Sequence, residues 1–364
     1  MRLVWATVSE SAGERDGIQQ LLASLDDGST GRAIAYPALS GACAVGERVL
    51  LNTTAVDLEL GTGGVHFVVA RAGKGVVLDD AAAGHVIKLR YTPMQRNVLA
   101  VEEQQSPHAT VMAGATTLDG VPVVCCGLHS QILPVAAAVK AVDPGLKVVY
   151  VMTDGASLPL AFSDLVAAMS RERLLDETIT AGQAFGGGLE AVSLHSALLA
   201  AKHVACADVI IVSLGPGITG TATPFGHGGV AQGEAINAVA ALGGLPIAPL
   251  RLSFADKRPR HRGVSHHSLV ALGTIALAPA VVVVPLLLPE GADAVEAALE
   301  EAGVWRRHIR RDATDTELPD TRGIAMRSMG RTPADDPVFF LAAAAAGTEA
   351  ARSAVESHTV GDGG

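Results

Sequence analysis

Residues able to bind anions, hold metals and move protons crowd into one stretch, Asp256–His267. Lys257, Arg258, Arg260 and Arg262 stand there together, in a chain whose formal net charge is −10. Each arginine offers a planar donor fork suited to carboxylate or phosphate. His261, His266 and His267 follow, and an imidazole titrates near neutrality, where proton transfer is useful. Three readings stay open. In an anion clamp, Arg258, Arg260 and Arg262 neutralise a ligand while a histidine moves a proton. In a divalent metal site, His261, His266 or His267 and Asp256 ligate together with His227 or Asp154, although no HExxH or paired-cysteine signature is present. In a structural loop, Asp256 pairs with an arginine and the cations meet the N-terminal domain or another subunit. Consecutive helical residues point about 100° apart, so one of His266 and His267 is expected to face a given ligand. Ser265 or Ser268 is expected to cap the helix that follows. A Ser265–His266–Asp256 triad lacks the elbow that presents such a serine.

A second chemical segment precedes it. Gly215, Gly217 and Gly220 lie in GPGITG, which continues through TATPF to His227 and Gly229. Glycines after a strand let backbone amides approach an anion. The GxGxxG match keeps a dinucleotide reading open, with Asp256 as the acid after the next strand, but that fingerprint needs a helix immediately after Gly220. No Lys-Ser/Thr ending makes it a P-loop.

These segments need elements to position them. Beyond Glu102–Gln105 and Ser106–Pro107–His108, the pattern predicts strands at Val121–Cys126, Lys147–Met152, Asp208–Ser213, Leu245–Leu252 and Val281–Leu288. Helical spacing covers His129–Val142, Leu158–Leu174, Ser193–Cys206, Gly229–Leu242, Ser268–Leu277 and Ala292–Ala302. Such alternation indicates a doubly wound, mainly parallel α/β sheet. The polar motifs follow strands, so His129, Asp154, the glycine loop and the Arg/His stretch share the rim where such sheets bind ligands. His129 and Asp154 are read as helix caps or as site residues. Glu190 and Glu234 are read as surface acids favoured by helix dipoles.

The first hundred residues read differently. Leu3–Val8, Arg32–Leu39, Arg48–Leu60, Val65–Ala70 and His85–Tyr91 are short apolar runs broken by segments such as Gly61–Gly64. They predict a small antiparallel barrel or sandwich, with His66 and His85 on strand surfaces. The expected organisation is a β-rich domain at 1–105, a linker at 106–118 and an α/β domain at 119–364.

Composition narrows the function classes. Aromatics are only 3% of the chain, so Val, Leu, Ile and Ala must fill the cores, as in close-packed α/β layers. The acidic balance excludes nonspecific nucleic-acid binding, which needs a basic surface. Cys125 and Cys126 point to opposite faces of a strand, so they are expected to be buried thiols, with Cys206 similar, in a reducing cytoplasm. Ser268–Pro289 is uncharged and long enough to span a bilayer, but three prolines and Val281–Val284 favour a buried helix and strand. The N-terminal MRLVWATVSESAGERDG has no signal-peptide apolar stretch, and the tail beyond His358 is expected to fray.

VYVMTDGASLPLAFSDLV, SLGPGITGTATPFGHGG and ADKRPRHRGVSHHS together resemble a bacterial family of nearly this length, known only as a domain of unknown function. The resemblance implies no activity. The residues point to an enzyme, hydrolase or transferase, acting on a small anionic metabolite, phosphorylated ones included. The glycine loop would cradle the anion, Arg258 and Arg260 would neutralise it, and His261 or His267, oriented by Asp256 or Asp154, would act as acid/base. A nonenzymatic binding or scaffold protein, using the Arg/His loop as a contact in a homo-oligomer or with a partner, is the alternative.

Overall fold

The computed structural model describes every residue except 16, 60–63, 77–83, 287–288, 314–316 and 362–364. Residues 61–63 of the expected glycine break, the end of the Val281–Leu288 run and the last residues of the tail therefore lie outside the described residues. The chain forms two compact units, Met1–Val98 and Leu99–Gly364.

In the first unit, β1 (Leu3–Arg15), β2 (Ile18–Leu25), β3 (Thr30–Ala35), β4 (Arg48–Asn52) and β5 (Val65–Arg71) form a closed barrel in the order β1-β2-β3-β5-β4. The expected barrel is present, with one parallel pair, β3 against β5. Ala6, Val8, Leu21, Ala23, Ala33, Val49, Leu51 and Val68 fill it. Small and branched residues suit the narrow interior of a five-stranded closure. The apolar runs did not reveal β2, because Gln19 and Gln20 interrupt its apolar series. Gln19 is nonetheless buried, its amide donating to the Cys43 carbonyl and accepting from the Cys43 N–H. The run expected to reach residue 60 ends at Asn52. Two one-turn helices, α1 (Pro37–Ser40) and α2 (Thr54–Asp57), flank β4. His85–Tyr91 yields only a separate ribbon, β6 (Val86–Lys88) with β7 (Arg96–Val98). His66, expected on the surface, is buried. The absence of a side chain at Gly31 leaves room for its ring, which a Cβ there would approach to 2.6 Å.

The second unit begins with α3 (Ala109–Gly114), β8 (Pro122–Cys125), α4 (Ile132–Val142), β9 (Val148–Thr153), α5 (Asp164–Arg171), β10 (Glu177–Ala181) and β11 (Leu189–Ala191). It continues through α6 (Leu194–His203), β12 (Val209–Leu214), α7 (Ala231–Ala241) and β13 (Leu245–Pro249). The hairpin β14 (Leu252–Ser253) and β15 (Gly263–Val264) then leads to α8 (His266–Val270), β16 (Val281–Pro285), α9 (Pro289–Glu301), β17 (Ile309–Ala313) and α10 (Pro337–Gly361). Eight strands form one sheet in the order β11-β10-β9-β12-β8-β13-β16-β17. Every pair in it is parallel.

Both faces are covered, as fully apolar strands require. Val123 and Cys125 join Leu198, Ile236 and Leu299 on one face. Val124 and Cys126 join Val135, Met169 and Phe339 on the other. Cys206, expected to be buried, is exposed. The uncharged window from Ser268 is α8, a π-helical turn at Ala271–Ile275 and then β16, so it is not one spanning helix. One described helix, Pro337–Thr359, is long and apolar enough to cross a membrane, and 67% of its apolar window is buried inside the fold. Its Phe339, Phe340 and Ala343 belong to the core.

The topology creates a rim for chemistry. From β8 the chain turns towards β9, whereas from β13 it turns towards β16, making a switch point between neighbouring strands. Two amides close that crevice. Gln232 donates to the carbonyls of Cys125 and Pro249 at 2.9 and 3.0 Å, and Gln131 donates to that of Leu250. Protein side chains thereby fill the crevice itself.

Candidate functional site

The Arg/His stretch is a folded hairpin loop. Leu252 pairs with Val264 and Ser253 with Gly263, and Gly263 takes φ +72°, a conformation glycine adopts without strain. Ser265 then caps α8 by accepting from the His267 N–H. The hairpin returns His261 and the start of α8 to His227, on the loop after β12.

Four imidazoles meet there. The His227 and His267 rings stack at 3.8 Å between centroids, and His266 lies 5.2 Å from His227 and 4.4 Å from His267. His261 stands 4.9 and 5.0 Å from His266 and His267. His266 and His267 therefore both face His227, which occupies the wedge between their diverging directions. Gly220 and Gly229 border the rings. A Cβ on Gly229 would lie 2.9 Å from His227 Nδ1, and one on Gly220 would lie 3.4 Å from His267 Nε2.

Hydrogen bonds assign most of the ring protons. His227 Nε2 donates to the Pro224 carbonyl at 3.0 Å, and His266 Nδ1 to the Arg260 carbonyl at 3.3 Å. His267 Nδ1 accepts from Arg251 at 3.0 Å, since a guanidinium only donates. His261 Nδ1 shares a 2.7 Å bond with the Ser265 hydroxyl. His227 Nδ1, His266 Nε2 and His267 Nε2 are buried without a partner. Burial, followed by the charges of Arg251 and Arg258, pushes His261 down to about 3. Burial, His227 and Arg251 push His267 down to about 2. His227 and His266 are lowered too, chiefly by burial. The cluster is neutral at pH 7.

Arg251 is the residue that sequence reasoning missed, having been counted inside the apolar run Leu245–Leu252. A lone arginine in that run was the available signal. It is only 4% exposed. Its guanidinium donates to His267 and to the thioether of Met329 at 3.4 Å. No described carboxylate lies within ion-pair distance of it. Asp256, which acts on it from farther away, is held by Arg258 and Arg331 at 2.8 and 3.3 Å. Burial, then Arg258, lowers Arg251 to about 10. A buried cation without a described ion-pair partner costs several kcal/mol in the absence of an anion.

The arginines named from sequence are placed otherwise. Arg258 bonds both Asp256 oxygens, at 3.0 and 2.8 Å, so its fork is occupied. That bond and the neighbouring cations hold Asp256 well below the carboxylate range. Arg260 and Arg262 are exposed. Asp154 is exposed at the end of β9 and accepts from the Gln183 N–H, without capping a helix.

Gly215, Gly217 and His129 line a neighbouring cleft of about 350 Å³ with Ser163, Ile218 and Met329. Met329 belongs to both places, because its sulfur accepts from Arg251 and Arg258 while its side chain forms a wall of the cleft. The N–H groups of Gly217 and Ile218 bond to no described residue. His129 does not cap α4. It bonds Tyr150 Oη at 3.2 Å and Ser163 Oγ at 2.7 Å, and burial lowers it to about 4. Gly220 leads into a turn through Gly226, and helical structure resumes only at Gly228. The context a dinucleotide fingerprint requires is therefore not met.

No curated protein matches the chain. Among solved structures, a mutant of L. casei FPGS is similar at 13% identity and a TM-score of 0.30. The match covers 69% of this chain and 62% of that one, so the chain spans less than two thirds of that protein's length. The model of the family described as protein of unknown function (DUF3866) matches residues 32–347.

Proposed function

We propose that this chain, which belongs to the DUF3866 family of proteins of unknown function, is an enzyme that binds a small anionic metabolite between the cleft and the histidine cluster. The observation that carries the reading is Arg251, a buried cation whose acceptors are an imidazole nitrogen and a thioether. Sulfur is a weak acceptor, and a phosphate or carboxylate oxygen displacing it would form a charge-assisted bond. Arg251 thus takes the neutralising role first expected of Arg258 and Arg260.

Gly217 and Ile218 supply free amides beside the cleft, as an anion cradle needs. His261 is the proton-transfer candidate. Burial, and after it the charges of Arg251 and Arg258, keep it neutral and weakly basic, and an anion that cancels those charges makes it a better proton acceptor. Hydrolysis or group transfer at a phosphoryl or acyl centre fits such a set of groups.

The test is a thermal-shift screen of phosphorylated and carboxylated metabolites, followed by calorimetry on wild type and Arg251→Gln. A cognate anion should stabilise wild type by about 2.7 kcal/mol at a hundredfold excess over its Kd, and Arg251→Gln should lose that shift. Equal binding by the variant, or no stabilising anion in the screen, would overturn the reading.

A further inference from the structure

Three partnerless buried nitrogens at one place require an explanation, because buried polar atoms in folded proteins almost always have a partner. His227, His266 and His267 each offer one ring nitrogen, and these three atoms lie within 4.8 Å of one another. Two segments supply them, the loop after β12 and the first residues of α8, so the convergence is a tertiary arrangement. We propose that these three histidines form a site for one divalent transition-metal ion, with a further coordination position left for water or substrate.

The hydrogen bonds support this beyond proximity. A metal-binding histidine usually donates its other ring N–H to a carbonyl or carboxylate, which aims the lone pair at the ion. His227 does so through Nε2 to Pro224, and His266 through Nδ1 to Arg260. Their partnerless nitrogens, His227 Nδ1 and His266 Nε2, are therefore lone pairs. Neutral imidazole suits zinc and its neighbours among the divalent transition metals. Three protein ligands with an open position is the pattern of catalytic rather than structural zinc.

His267 is the conditional ligand. While Arg251 donates to its Nδ1, its Nε2 carries the proton and offers no lone pair. Coordination moves that proton to Nδ1 and turns Arg251 away. The metal proposal rests on the three ring nitrogens and the hydrogen bonds that orient them, and does not require the anion reading.

The test is equilibrium dialysis of the chelator-stripped, full-length protein against zinc without added anion, with bound metal measured by elemental analysis. One equivalent per chain is expected. His227→Ala and His266→Ala should each weaken it by about tenfold or more, the scale of metal-site perturbations. His195→Ala, at an exposed histidine, should bind as wild type. Circular dichroism checks that each variant is folded, and the half-buried His266 gives the variant least costly to the fold. No saturable equivalent in folded wild type, or unchanged binding in either cluster variant, would overturn the proposal. Loss of zinc with anion binding intact would leave the Arg251 reading standing.

Discussion

Arg251 donates to His267 Nδ1 across 3.0 Å, and because a guanidinium cannot accept, that bond fixes the proton of His267 on Nε2. While that bond is made, His267 Nε2 has no lone pair to offer a metal. Arg251→Gln should separate the two activities. It removes the cation while allowing an amide oxygen to accept from Nδ1, so phosphate or carboxylate binding should fall by about tenfold or more and zinc binding should hold or tighten. Parallel calorimetric titrations check this, and weakening of both by the same factor would contradict it.

Asp256 holds Arg258 and Arg331 while its own side chain is only 3% exposed. Asp256→Asn should therefore cost about 1–3 kcal/mol, less than a fully buried pair because Arg258 is 44% exposed. The folded-state pKa is below the unfolded value, so this contribution is complete above about pH 5 and is lost as the pH falls through the folded pKa. Urea unfolding at neutral and acid pH should show the variant with a flatter acid limb than wild type.

His129 gives a second pH signature. Burial lowers it to about 4, so between that value and the unfolded pKa of about 6.5 the unfolded chain binds more protons. The stability it contributes is complete above the upper value and declines as pH drops through the window. The loss at pH 5 is about 2 kcal/mol. His129→Gln can bond without titrating, and should reduce the slope of unfolding free energy against pH in that window.

Gly229→Ala tests how tightly the cluster is built. Its Cβ would fall 2.9 Å from His227 Nδ1 and 3.0 Å from His267 Cβ, so the rings must shift. A loss of about 1–3 kcal/mol in stability is expected, as for overpacking, together with weaker zinc binding. A variant with wild-type melting and wild-type zinc affinity would show that the cluster tolerates displacement.

Strands β8, β9, β12, β13 and β16 of the parallel sheet were legible because each is a largely apolar run, and polar motifs follow those runs. Strand β10, the edge strands β11 and β17 and the barrel strand β2 were not. Thr178, Thr180 and Glu190 make β10 and β11 too polar for periodicity alone, and hydrogen bonds such as Thr180 to Glu190 satisfy those side chains across strands. Helix α10 was missed because its long alanine series has no strong polar face. Packing against α4 and the sheet stabilises it more than any local pattern does.

Sequence alone determined the layer architecture and the barrel class, because periodicity and composition are local properties, and it singled out the stretch from Asp256 to His267 as a candidate for chemistry. Tertiary structure decided which groups in that stretch are free to act. Arg258 is tied to Asp256, Arg331 reaches Asp256 from 75 positions away, and Arg251 is left buried with no described acid within ion-pair distance. Three histidines, one from the loop after β12 and two from the start of α8, bring ring nitrogens within 4.8 Å of one another. Charge pairing and ring orientation depend on contacts between distant segments, and no spacing along the chain encodes them.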